Sequence, residues 1–196
     1  MREIDYRAPA APSHHVPMER PWRPRVSMHR RSIRLRGYDY SRPGAYFITI
    51  CATTHLFGRV RAGETVQSRF GEIACECWKS IPDHFPHVRI DTFVVMPDHV
   101  HGILFLSDDD SRLSAVGRIS AGSLGTVVRS FKSVVAARVN QLRGARFGGI
   151  WQRNFFDQII RSDADLARAR QYIRDNPGRW DRRRPSKMPR ERGMKM

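Results

Sequence analysis

The tightest constraint on this chain is a pair of apolar runs, VRIDTFVVM (88–96) and VHGILFL (100–106), separated only by Pro97, Asp98 and His99. Strands joined so closely pair antiparallel, because a parallel return needs a crossover of a dozen or more residues. An antiparallel sheet is expected, and the other segments must supply its remaining strands and cover. AYFITICAT (45–53) is aromatic and β-branched, as strands prefer, and FFDQIIRS adds a strand at about 155–161.

Helical spacing accounts for the rest. Val66, Phe70, Ile73, Ala74, Cys77 and Ile81 predict an amphipathic helix that ends at Pro82. Ser123 is a suitable N-cap for a second helix, whose apolar stripe runs through Leu124, Val127, Val128, Phe131, Val134, Val135, Val139 and Leu142. Ser162 and Asp165 open a third, which Asn176-Pro177 is expected to terminate. Residues 107–122, with the acidic triplet Asp108, Asp109 and Asp110, read as a solvated loop. The resulting order, β-α-β-β-α-β-α, predicts an α+β sandwich: one antiparallel sheet with helices packed on it.

Charge divides the chain into three. Of 196 residues, 35 are Lys or Arg and 19 Asp or Glu, a net charge of +16. Residues 1–36 and 177–196 each carry a net +6, leaving only +4 between them. We expect a basic, proline-interrupted arm (1–36), a folded domain (37–178) and a basic tail (179–196). Cationic ends of this kind suit a phosphate backbone, with affinity driven by counterion release. Cys51, Cys75 and Cys77 are too few for a disulfide framework, and neither a signal peptide nor an 18-residue apolar run occurs. The expected protein is soluble and cytoplasmic, associated with DNA and not with membrane.

The segment MPDHVHGIL (96–104) has the most chemical content. Because strand side chains alternate, His99 and His101 share one face while Val100 turns to the other. By spacing alone such a pair suits either a metal ion or two ordinary strand-end histidines. Zinc with cysteine ligands is disfavoured, since Cys75 and Cys77 lie about 200° apart on a helix. Two imidazoles with oxygen donors suit Mg or Mn, which can bridge a phosphodiester. Tyr172 borders the buried stripe Leu166, Ala169 and Ile173 on the third helix, and Asn176 lies one turn further along the same face. A packed boundary tyrosine fits that spacing as well as a reactive one does.

Taken in order, GYDYSRPGAYFITI, VVMPDHVHGIL, IWQRNFFDQIIR and QYIRDNP resemble the REP-associated tyrosine transposases. These are relatives of the single-tyrosine, His-hydrophobic-His transposases, and the resemblance runs from about Arg31 to Trp180. It implies a ferredoxin-like domain that cleaves and rejoins single-stranded, hairpin-forming DNA. By it, His99 and His101 become ligands of a divalent ion, Mg or Mn, Tyr172 the nucleophile, and Asn176 a third ligand. The product would be a 5′-phosphotyrosine and a free 3′-hydroxyl, made without a nucleotide cofactor. Gln158 stands where many relatives have histidine, and no catalytic role is expected of it. Arg129, Lys132 and Arg153 lie in helical or motif-bearing segments and are the expected DNA contacts within the domain. The enzyme would act as a monomer or a homodimer. The alternative is a non-catalytic binder of structured single strands with the same fold.

Overall fold

The computed structural model describes residues 38–107, 122–144 and 149–183. The acidic triplet, the whole of the arm and most of the basic tail lie outside them. The described residues form, in chain order, β1 (Gly44–Cys51), β2 (Gly58–Arg61), β3 (Glu64–Gln67), α1 (Arg69–Lys79), α2 (Ile81–His84), β4 (Val88–Val95), β5 (His99–Leu106), α3 (Leu124–Arg143), β6 (Phe156–Ile160) and α4 (Asp163–Arg183).

The main sheet has the order β4-β5-β1-β6, antiparallel throughout. With the β2–β3 hairpin set aside, this is the ferredoxin-like order, in which the first strand lies centrally beside the last. The short β4–β5 connection behaves as its length demands: Met96 donates its N–H to the His99 carbonyl at 2.7 Å, and Pro97 and Asp98 make the turn.

Alternation along the strands sorts their side chains into two cores. Tyr46, Ile48, Ile50, Val100, Leu104 and Leu106 face one side, where α1 and α3 cover them with Trp78, Phe131 and Val135. Ala45, Phe47, Ile103, Phe105 and Ile160 face the other, where α4 brings Leu166, Ala169 and Ile173. Thus two helices cover one face of the sheet and α4 covers the other. Their starts are as expected: the Ser123 hydroxyl accepts the Thr126 N–H at 3.3 Å, and the Ser162 hydroxyl accepts the Asp165 N–H at 3.1 Å.

Three local expectations are corrected. Residues 58–67 form a separate two-stranded hairpin, so Val66 is a half-exposed strand residue, and the helix expected from 66 starts at Arg69. The hairpin turns at Ala62 and Gly63, both with positive φ (51° and 77°), the backbone that a primed two-residue turn requires. Pro82 opens a short second helix, since a proline in the first turn forfeits no helical hydrogen bond. Pro177 does not end α4, which continues to Arg183. The lost N–H bond to the Ile173 carbonyl is tolerated because Pro177 is buried and the last turns are held from outside the helix: the Asp181 carboxylate accepts the Gly63 N–H at 3.1 Å.

Two further contacts fix α4 and β5. Asp91, at a bulge in β4, receives the Arg170 Nε–H at 3.1 Å on both carboxylate oxygens, clipping α4 to the sheet edge. On the opposite face Gly102 leaves room for Trp78, since a Cβ there would stand 2.2 Å from the indole ring.

A candidate active site between strand and helix

His99 and His101 open β5 on the face that α4 covers, and Thr49 and Cys51 stand beside them on β1, paired with His101 and His99 respectively. Tyr172, Asn176, Arg179 and Trp180 of α4 complete a cleft of about 190 Å³. The four expected site residues Tyr172, His99, His101 and Asn176 are therefore brought together although about seventy positions separate the histidines from the tyrosine. The imidazole centroids are 4.5 Å apart, and the Tyr172 ring stands edge-on to His101 at 5.4 Å and to Phe47 at 5.9 Å.

Each imidazole is held through its Nδ1. His101 Nδ1 lies 2.9 Å from the Thr49 hydroxyl, and His99 Nδ1 lies 2.6 Å from the Asp98 carboxylate. That leaves both Nε2 atoms as the nitrogens available to a ligand, with ring orientation fixed from behind. Burial, reinforced by the charge of His99, holds the His101 pKa well below the ordinary histidine value, so the ring is neutral at physiological pH. Asp98 is itself placed by its backbone, whose carbonyl accepts the Ala52 N–H at 2.7 Å, and its second carboxylate oxygen lies 3.6 Å from His55 Nε2.

These donors fit a divalent ion: two imidazoles oriented by their Nδ1 partners, the Asn176 carboxamide in the same cleft, and an open side for water and a phosphate oxygen. No cluster of three His, Cys, Asp or Glu ligands exists among the described residues, so the set differs from a closed structural zinc centre.

The three cations expected to hold DNA are not among the cleft residues. Arg129 and Arg153 are exposed elsewhere, and the Lys132 ammonium donates to the carbonyls of Gln152 and Asn154 at 2.8 and 3.0 Å, bracing the loop before β6. The cation at the cleft is Arg179, whose guanidinium lies 5.3 Å from the Tyr172 ring centre. Arg179 and Trp180 carry no signal in the sequence, where Pro177 predicts the end of the helix before them. Thr49 carries none beyond its register, which pairs it with His101.

No family model matches the chain. An uncharacterized protein of Haemophilus influenzae is 36% identical over 165 residues, 78% of this chain and 91% of that protein. A putative REP-associated tyrosine transposase of the same organism is 28% identical over 140 residues, covering 71% of this chain and 73% of that one. The fold is shared with a REP-associated tyrosine transposase solved bound to a REP hairpin, with a TM-score of 0.51, 20% identity and coverage of 79% of this chain and 74% of that one. The four-stranded antiparallel sheet with helices packed on both faces is thus the fold of that solved transposase. Within that fold the chain is similar to the REP-associated tyrosine transposases, the family named both by its ordered motifs and by the 28% identical relative.

Proposed function

We propose that the protein cleaves and rejoins single-stranded, hairpin-forming DNA of the REP type through Tyr172. The observation that carries this reading is the seating of Tyr172 against His101 in one cleft, with His99 alongside and Asn176 a helical turn away. The relative solved with a REP hairpin supports the choice of substrate.

The reaction is a displacement at phosphorus. The Tyr172 oxygen attacks the scissile phosphate, a tyrosine-phosphate bond forms, and the bond to the 3′-oxygen breaks. The phenolic proton passes to solvent or a base, and the departing 3′-oxygen takes up a proton. A free phenol with a pKa near 10 is a poor nucleophile at neutral pH. A divalent ion, Mg or Mn, held by His99, His101 and Asn176 would polarise the phosphate and offset the added negative charge. The chain's own residues do the positioning. Thr49 and Asp98 hold the imidazoles, α4 holds the phenol, and Arg179 places a positive charge over its ring. Because the phosphotyrosine retains the energy of a phosphodiester, the 3′-hydroxyl can reverse the step and join strands without ATP.

The test is covalent capture. Full-length protein incubated with labelled single-stranded palindromic DNA and Mg or Mn should yield a protein-DNA adduct that survives denaturation. Binding without an adduct would instead make the domain a non-catalytic binder of structured strands.

A further inference from the structure

Among the described tryptophans, Trp78 and Trp151 are structural. Trp78 is buried against Phe93 and Phe131, while Trp151 packs on Phe57 and Phe131 and donates its indole N–H to the Lys132 carbonyl at 3.0 Å. Trp180 differs. It belongs to neither core, is partly exposed, and lines the cleft next to His99. Its ring lies 5.7 Å from His99 and 5.8 Å from His55, tilted at 47° and 60° and not stacked on either.

Its place is fixed from outside the helix. The Asp181 carboxylate accepts the N–H of Gly63 at the tip of the β2–β3 hairpin, and a Cβ built on Gly63 would come within 3.7 Å of Gly178. The hairpin thus braces the last turns of α4, and the aromatic rings run along the cleft in the order Trp180, His99, His101, Tyr172. A large, partly exposed ring on a braced helix end, beside groups suited to a phosphate, is suited to a nucleobase. Stacking needs only a π-face, so such a platform places a strand without selecting its sequence.

We infer that Trp180 is the platform on which a base adjoining the scissile phosphate stacks, so that it is a positioning residue for single-stranded DNA. The inference rests on the proposed reaction at Tyr172.

It is tested with a hairpin-forming oligonucleotide whose unpaired flank carries 2-aminopurine at successive positions, its fluorescence being quenched by stacking. Binding is measured on full-length protein in the Tyr172→Phe background, and cutting in the otherwise unaltered chain. Protein with Trp180 should quench strongly at one position. Trp180→Leu should lose that quenching and bind about tenfold to a hundredfold more weakly, while Trp180→Phe should restore most of both. Unchanged quenching and affinity in Trp180→Leu, alongside normal cutting by the parent protein, would overturn the inference and leave the reaction standing. A fall in kcat with quenching and KM intact would also overturn it, since Trp180 would then act only by packing on His99. Absence of binding and cutting in the parent protein would remove the proposed reaction and the platform with it.

Discussion

Burial gives two tyrosines opposite prospects. Tyr46 is fully buried, its hydroxyl donating to the Arg42 carbonyl at 2.8 Å, and desolvation together with the Tyr38 phenol drives its pKa far above the usual value. Tyr172 is partly exposed at the cleft beside two imidazoles. We expect Tyr172→Phe to abolish the adduct while leaving the melting temperature and DNA affinity nearly unchanged, as only the nucleophilic oxygen is removed. Tyr46→Phe should keep the adduct and lose about 1 kcal/mol of stability through its buried hydrogen bond. His99→Ala and His101→Ala should each depress cleavage at least a hundredfold and weaken Mn binding by calorimetry; unchanged Mn affinity in both would return them to ordinary strand-end residues. The histidine face was legible because strand alternation leaves no choice once Val100 enters the core. Asn176 was legible from its four-residue spacing to Tyr172. Thr49 and Asp98 were not, since what they do depends on register and on the geometry of a turn.

Among the elements, β5 has a requirement of its own. Gly102 lies between Trp78 and the strand, and the indole is confined by Phe93 and Phe131, so it cannot retreat from an added methyl. Gly102→Ala should cost about 1–3 kcal/mol in chemical denaturation, with the lost activity recovering at low temperature if folding alone is affected. The clip on α4 behaves differently. Burial alone would raise the Asp91 pKa, but hydrogen bonds from Arg170 and Thr92 outweigh it and leave the carboxyl below its ordinary value. A carboxyl depressed in the folded state stabilises fully above its unfolded pKa, and that contribution is lost as pH falls through the folded value. Asp91→Asn should therefore destabilise by about 1–2 kcal/mol at pH 7, the half-exposed arginine keeping the cost modest, and the difference from the parent should shrink below about pH 4. The hairpin at 58–67 escaped the sequence because Ala-Gly is a weak turn signal and Val66 happened to fit a helical period that begins only at Arg69. The end of α4 escaped it because proline's local penalty is outweighed by contacts from a hairpin more than a hundred positions away.

For the whole molecule, most of the excess positive charge belongs to the two ends of the chain. Each phosphate neutralised on a single strand contributes about −0.7 to the slope of log K against log salt. A chain lacking residues 1–30 and 183–196 should still nick DNA at low salt, but bind more weakly and with a shallower slope. A full-length slope in the trimmed protein would place the electrostatic footprint on the domain itself.

The order in which the parts of the chain meet has a consequence for its synthesis. The strand face that receives α4 carries Ala45, Phe47, Ile103, Phe105 and Ile160, and every described strand is complete before Asp163 is made. A nascent chain therefore exposes one apolar face of its sheet until α4 leaves the ribosome. That helix also carries Tyr172 and Asn176, so the lid on the core and one wall of the cleft arrive in a single docking event. A ribosome stalled before that point holds an aggregation-prone sheet whose cleft has not yet formed.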